Sequence, residues 1–119
     1  MNYQEALELK PGAVLYSSWG YDQTNIDFCV VLENTGKTLK CAMVKEEIEK
    51  ITGDMSENVL PSKEHRNNEP FRLRISRGKN EPERAYLVGS YPYCNGQSAK
   101  RFGYFGIFDG QSKNQSHYH

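Results

Sequence analysis

The densest group of side chains with chemical potential lies in residues 16–28, YSSWGYDQTNIDF. Aromatic rings beside several hydrogen-bonding groups are typical of a recognition surface. A simple turn needs only one or two such polar residues, so we predict that the stretch from Trp19 to Asp27 binds a partner. Trp19 and Tyr21 would anchor that partner. Asp22, Gln23 and Asn25 would set polar specificity, and Thr24 and Asp27 complete the predicted binding residues.

Two other roles stay open for this stretch. In the structural one, Gly20 permits a tight bend and the polar side chains bond to nearby backbone groups, which makes a rigid hairpin loop. In the catalytic one, Asp22, Asp27 and His119 would form the site of a metal-assisted hydrolase, and His117 is a further candidate metal ligand. The acids match no calcium-binding loop, and a histidine pair in a polar tail is more often only exposed.

A second candidate site is the segment 100–108, KRFGYFGIF, in which basic and aromatic residues alternate with glycine. On a strand, such a segment binds single-stranded nucleic acid: Lys100 and Arg101 would contact phosphate, while Phe102, Tyr104 and Phe105 stack on bases. The glycine expected after the basic residue is Arg101 here, and no companion strand motif is present. The alternative is a core strand whose glycines ease close packing.

Covalent catalysis finds little support in the sequence. It contains no GxSxG turn, no phosphate-binding Gly-Lys-Ser/Thr loop and no GxGxxG after a strand. The three cysteines, Cys29, Cys41 and Cys94, lack CxxC spacing, so neither a disulfide framework nor a zinc site is indicated. Cys29 and Cys41 fall on apolar strand faces and are poor nucleophiles. We therefore expect no enzyme of these classes and no cofactor.

Short alternating segments indicate a mainly-β fold with one or two short helices: a small antiparallel barrel or sandwich, with an SH3-like barrel as the best guess. A short helix is predicted in the opening residues 2–9. Residues 43–52 are ambiguous, and we favour a short helix or irregular segment there. Residues 62–70 read as a loop, and 108–119 as a loose polar tail. Strands are predicted at 13–19, 25–33, 37–44, 58–61, 71–76, 84–91 and 101–108.

Length and charge limit the remaining classes. The 119 residues suit a single domain. The longest apolar run, FCVVL, is far too short to span a membrane, and the N-terminus lacks a signal-peptide pattern, so we expect a cytoplasmic protein. Net charge is zero, which argues against a strong sequence-independent grip on DNA. The acids concentrate in residues 1–60 and the bases in 61–119, an asymmetry that can mark an electrostatic face.

The stretch SSWGYDQTNIDF also resembles a signature in small proteins of phages, plasmids and other bacterial mobile elements. The matching positions are Gly12, Leu15, 17–25, Asp27, Phe28 and the final His119. Ala13 and Cys29 depart from it, since Asp and Tyr are usual there. Beyond the core, the resemblance is limited to VLP at 59–61, YLVGSY at 86–91 and NG at 95–96.

The resemblance implies a genomic context and no particular chemistry. It suggests an accessory role in a bacterial host, such as counter-defence or regulation. Together with the residues, it leads us to expect a small cytoplasmic binding protein of a mobile element. A protein is the favoured partner and nucleic acid the alternative, while the sequence does not predict the oligomeric state.

Overall fold

The computed structural model describes residues 1–20, 24–53, 56–66, 68–93 and 100–116. Within these ranges the chain forms one short helix, followed by eight strands. The helix is α1 (Tyr3–Leu7), and the strands are β1 (Val14–Trp19), β2 (Asn25–Asn34), β3 (Thr38–Gly53), β4 (Ser56–His65), β5 (Phe71–Arg77), β6 (Ala85–Tyr91), β7 (Arg101–Ile107) and β8 (Lys113–Ser116).

Six of the strands close into an antiparallel barrel. Their order is β2-β1-β7-β6-β5-β3, and pairing between β2 and the first half of β3 completes the ring. Closure leaves these six strands without a free edge along their paired length. The predicted mainly-β class and the small antiparallel barrel are confirmed.

Period-two alternation builds the barrel core. In β5, for example, Phe71, Leu73 and Ile75 are buried, whereas Arg72 and Arg74 are exposed. Inward residues from all six strands form one cluster: Leu15, Cys29, Val31, Leu39, Cys41, Met43, Phe71, Leu73, Ile75, Ala85, Leu87, Tyr91 and Phe105.

Helix α1 covers one end of the barrel. Its N-terminus has a capping box, in which Asn2 accepts from the backbone of Glu5 and the Glu5 side chain accepts from the backbone of Asn2. Its only buried residue, Ala6, joins the barrel core. The amide of Asn34 donates to the carbonyls of Ala6, Leu7 and Leu9, which ties the end of the helix to β2.

The second half of β3 leaves the barrel and forms a hairpin with β4, to which β8 adds a third strand. The prediction of a short helix or irregular segment at 43–52 was therefore wrong. Val44, Ile48 and Ile51 have helical spacing, but pairing with β4 holds the segment in an extended strand. The bulges in the β3–β4 ladder interrupt the alternation of apolar and polar residues, so the sequence did not show a strand pattern here. The loop predicted at 62–70 was also wrong in part, because β4 continues to His65.

A second apolar cluster lies on the outer face of β2. Ile26, Phe28, Val44 and Val59 are buried there, and Phe108 packs edge-on against Phe28 with 5.6 Å between ring centroids. This explains why both faces of β2 are apolar. In the segment predicted as a loose tail, Phe108 belongs to this cluster and Lys113–Ser116 form β8. Among the described residues, no helix combines the length and apolar character needed to cross a bilayer.

We predict that Gly89→Ala destabilises the barrel. A Cβ atom on Gly89 would lie 2.7 Å from the carbonyl oxygen of Arg72, in the backbone of the neighbouring strand. Overpacking of this kind lowers the free energy of unfolding by about 1–3 kcal/mol.

The matched control is Gly106→Ala, whose Cβ would meet the ring of Tyr16 at an ordinary 3.6 Å. Urea unfolding of both variants measures the difference. Equal stability would contradict the close approach of β5 and β6 at Gly89.

Candidate functional site

The end of the barrel opposite α1, here called the mouth, is organised around the carboxylate of Asp27. β2 places Asp27 there because it runs from the mouth at Asn25 to the α1 end at Asn34. The register pairs Ser17 with Asp27, so Trp19, two residues along β1, projects from the same face. Asp27 is only 5% exposed, and burial of a charge is costly unless the charge is paired and hydrogen-bonded.

Three donors satisfy this carboxylate. The indole Nε1 of Trp19 donates to Oδ2 at 2.6 Å, and the hydroxyl of Tyr91 donates to the same oxygen at 2.7 Å. Nη2 of Arg66 lies 3.5 Å from Oδ1, and Nη1 of Arg66 donates to the carbonyl of Tyr93. Residues from β1, β6 and the segment after β4 thus meet at one acceptor.

Arg101 adds a second layer to the mouth. Its Nη1 donates to the hydroxyl of Tyr91 at 3.1 Å, and its guanidinium lies 4.7 Å from the ring centroid of Trp19. Burial, followed by the charge of Asp27, raises the pKa of Tyr91 well above its usual value, so the phenol stays neutral and donates its proton. The sequence assigned Arg101 to phosphate contact, whereas here its side chain faces Trp19 and Tyr91.

A cavity of about 280 Å³ opens beside this network. On its far wall the buried amide of Gln115 accepts from the backbone of Ile26 and donates to Glu46 and Glu57. The cavity is lined by Trp19, Asn25, Ile26, Asp27, Glu46, Arg66, Tyr93 and Gln115. Its polar groups mostly bond to one another, which is the pattern of a closed structural network.

The described part of the Trp19–Asp27 stretch therefore supports the structural role for its two ends. Thr24 and Asn25 are half-buried, and the Asn25 amide donates to the carbonyl of Trp19 at 3.5 Å. The predicted anchor Tyr21 and the predicted specificity residues Asp22 and Gln23 lie outside the described residues. The same holds for the proposed metal ligands His117 and His119, and for Cys94.

A different surface carries the exposed aromatic residues. Phe102 and Tyr104 project outward from β7 with 59% and 62% of their surface exposed, and Tyr86 projects from β6. Successive ring centroids lie 6.1 Å apart from Phe102 to Tyr104 and 6.3 Å apart from Tyr104 to Tyr86. The three rings border a groove of about 510 Å³, here called the aromatic groove, whose other lining residues are Arg74, Ser76 and Val88.

The charge around the aromatic groove is positive. The register sets Arg74 beside Val88 and Val88 beside Tyr104, while Arg72 pairs with Lys40 on the next strand. The outward positions of β5, β6 and β7 carry no carboxylate: Arg72, Arg74, Ser76, Tyr86, Val88, Ser90, Phe102, Tyr104 and Gly106. Lys100 is exposed immediately before β7.

Phe105, predicted to stack on bases with Phe102 and Tyr104, does not belong to this groove. It is 4% exposed and packs edge-on against Tyr91 in the barrel core, with 4.8 Å between centroids. Neighbouring residues of a strand point to opposite faces, so Phe105 cannot share the outer face with Tyr104.

No protein-family model, curated protein or solved structure matches this chain. Its site must therefore be interpreted from its own geometry. In the described ranges, no three His, Cys, Asp or Glu side chains converge in a way that could hold a metal ion. The thiols of Cys29 and Cys41 are buried, and burial followed by the neighbouring Cys41 raises the pKa of Cys29 well above its usual range, which disfavours a nucleophilic thiolate.

Several site residues were not predicted. Nothing in the sequence marked Arg66 or Gln115, since they reach the mouth from segments read as a loop and a tail. Tyr86 and Arg74 could have been predicted, because strand alternation in the sequence places both residues on the outer face of adjacent strands.

We predict that Asp27→Asn destabilises the protein strongly. The substitution removes the charge that pairs with Arg66, whose side chain is only 13% exposed, and breaking a buried pair costs about 3–5 kcal/mol of unfolding free energy. Urea unfolding followed by the fluorescence of Trp19, the single tryptophan, measures the loss at the mouth itself.

The control is Glu64→Gln, which breaks the exposed ion pair with Lys45. Such surface pairs contribute little, so this variant should unfold like the wild type. If Asp27→Asn matched the control, the carboxylate would not hold the mouth together.

Proposed function

We propose that this protein binds single-stranded nucleic acid in the aromatic groove. The observation that carries the proposal is the exposure of Phe102 and Tyr104 on a closed barrel. Apart from Tyr86, the other aromatic side chains that the structure describes are buried or partly buried. A cluster of exposed aromatic residues marks an interaction site, because a binding partner that covers the cluster removes apolar surface from water and so lowers the free energy. Unpaired bases stack on such rings regardless of sequence.

Charge favours nucleic acid over a protein partner at this groove. Arg74 lines it, Arg72 lies on the same strand, and Lys40 lies on the neighbouring β3. The outward positions of β5 to β7 add no negative charge. Bases would stack on the rings while phosphates contact the guanidinium groups along one edge. Because the whole chain has no net charge, binding depends on this local patch and should be weakened by salt.

The resemblance to mobile-element proteins supplies a context for this activity. We propose that the protein acts in the cytoplasm of a bacterium that carries a phage or plasmid, as an accessory factor in counter-defence or regulation. Partner recognition by the Trp19–Asp27 stretch now depends on Tyr21, Asp22 and Gln23, since Trp19 and Asp27 bond to each other. A hydrolase would likewise depend on Asp22, His117 and His119.

We predict that Phe102→Ala and Tyr104→Ala each weaken binding of a fluorescent single-stranded oligonucleotide. Loss of one base–aromatic stack costs about 1–3 kcal/mol of binding free energy. Fluorescence anisotropy measures the affinity. Both side chains are exposed, so the thermal unfolding midpoints should stay close to that of the wild type.

Arg74→Ala should lower the affinity and flatten its salt dependence, because one phosphate contact contributes a slope of about 0.7 in a plot of log affinity against log salt. Arg84→Ala is the matched control, since Arg84 is exposed and pairs with Glu81 outside the groove. Unchanged affinity in all three groove variants, or no binding by the wild type, would contradict the proposal.

A further inference from the structure

A second exposed surface lies on the hairpin that leaves the barrel. We call residues 46–53 and 56–60 the acidic arm. Its described residues include four glutamates, Glu46, Glu47, Glu49 and Glu57, against a single base, Lys50. Two large apolar side chains are also exposed on it: Ile48 at 58%, and Ile51 at 72%, the highest value for a large apolar residue in the described ranges.

The acidic arm and the aromatic groove are complementary in chemistry. The arm presents its two isoleucines beside the exposed carboxylates of Glu47 and Glu49. The groove presents aromatic rings bordered by Arg74, Arg72 and Lys40. Burial of exposed apolar side chains favours association by about 25 cal/mol per Å² of apolar surface, and opposite charges at the rim set the orientation. The acidic arm thus comes from the acidic first half of the sequence, and Arg72 and Arg74 beside the groove come from the basic second half.

The two surfaces of one molecule cannot meet. The arm packs over the outer face of β2 through the second apolar cluster, in which Val59 is buried. In the six-strand ring, β6 lies three strands from β2 in either direction, so the groove is on the opposite side of the barrel. The groove that an arm can reach therefore belongs to another copy of the chain.

We propose that the acidic arm of one copy docks in the aromatic groove of a second copy. The contact joins two different surfaces, so it is heterologous and builds head-to-tail assemblies. The arm occupies the groove that we assign to single-stranded nucleic acid, and the two compete for it. Only this competition depends on the proposed function, because the docking is argued from the two surfaces alone.

The test measures mass by sedimentation velocity over a range of protein concentrations at low and high salt. The wild type should rise above its monomer mass of 13.7 kDa with concentration and return towards it at high salt. Ile51→Ser removes the arm contact and Arg74→Glu removes the groove contact, so each variant alone should stay monomeric. Leu32→Ser is the control, since Leu32 is exposed outside the arm and should leave association unchanged.

Mixing the two variants is decisive. The Ile51→Ser copy keeps an intact groove and the Arg74→Glu copy keeps an intact arm, so an equal mixture should form a two-chain complex and stop there. A wild type that stays monomeric at every concentration, a variant that associates like the wild type, or a mixture that stays monomeric overturns the proposal.

Measurement of oligonucleotide binding distinguishes a failure of arm docking from a failure of nucleic-acid binding. At concentrations where all chains are monomeric, Ile51→Ser should bind a single-stranded oligonucleotide with wild-type affinity. Association of the wild type together with no oligonucleotide binding by monomeric Ile51→Ser, whose groove is free, would overturn the proposed function and leave the docking intact. Oligonucleotide binding by a wild type that never associates would overturn the docking alone.

Discussion

The buried carboxylate of Asp27 is the constraint on which the mouth of the barrel depends. A charge at 5% exposure requires compensation, and Trp19, Tyr91 and Arg66 provide it from three separate parts of the chain. Removal of any one donor leaves the others around an incompletely paired charge. The network is therefore cooperative, and it explains why Trp19 and Asp27 occur together in the most distinctive stretch of the sequence.

The same network positions the outer surface. Arg101 bonds to Tyr91 and stacks over Trp19, which fixes the start of β7, and the next residue, Phe102, projects in the opposite direction. The inner face of β7 thus carries Arg101 and the buried Phe105. The outer face carries the exposed rings of Phe102 and Tyr104. A rigid strand holds Phe102 and Tyr104 at a fixed spacing, which preorganises them for stacking.

The sequence predicted the fold class because its strands alternate cleanly, as in β5, and because turn residues separate them. It failed where alternation is interrupted. The bulged second half of β3 resembled a short amphipathic helix, and only its pairing with β4, a contact between distant residues, decided the outcome. For the site, alternation placed Phe102 and Tyr104 but not the partners of Asp27. Arg66 reaches the mouth only because the barrel closes, and local sequence patterns do not predict which distant segments a closed barrel brings together.

We propose that single-stranded nucleic acid binds on the outer face of β5, β6 and β7. NMR titration of isotope-labelled protein with a single-stranded oligonucleotide tests it most directly. Binding at this face should change the chemical shifts of Tyr86, Phe102 and Tyr104, whereas the indole N–H signal of Trp19, which is bonded to Asp27, should not move. Changes confined to Trp19 and its neighbours at the mouth, or no changes at all, would contradict it.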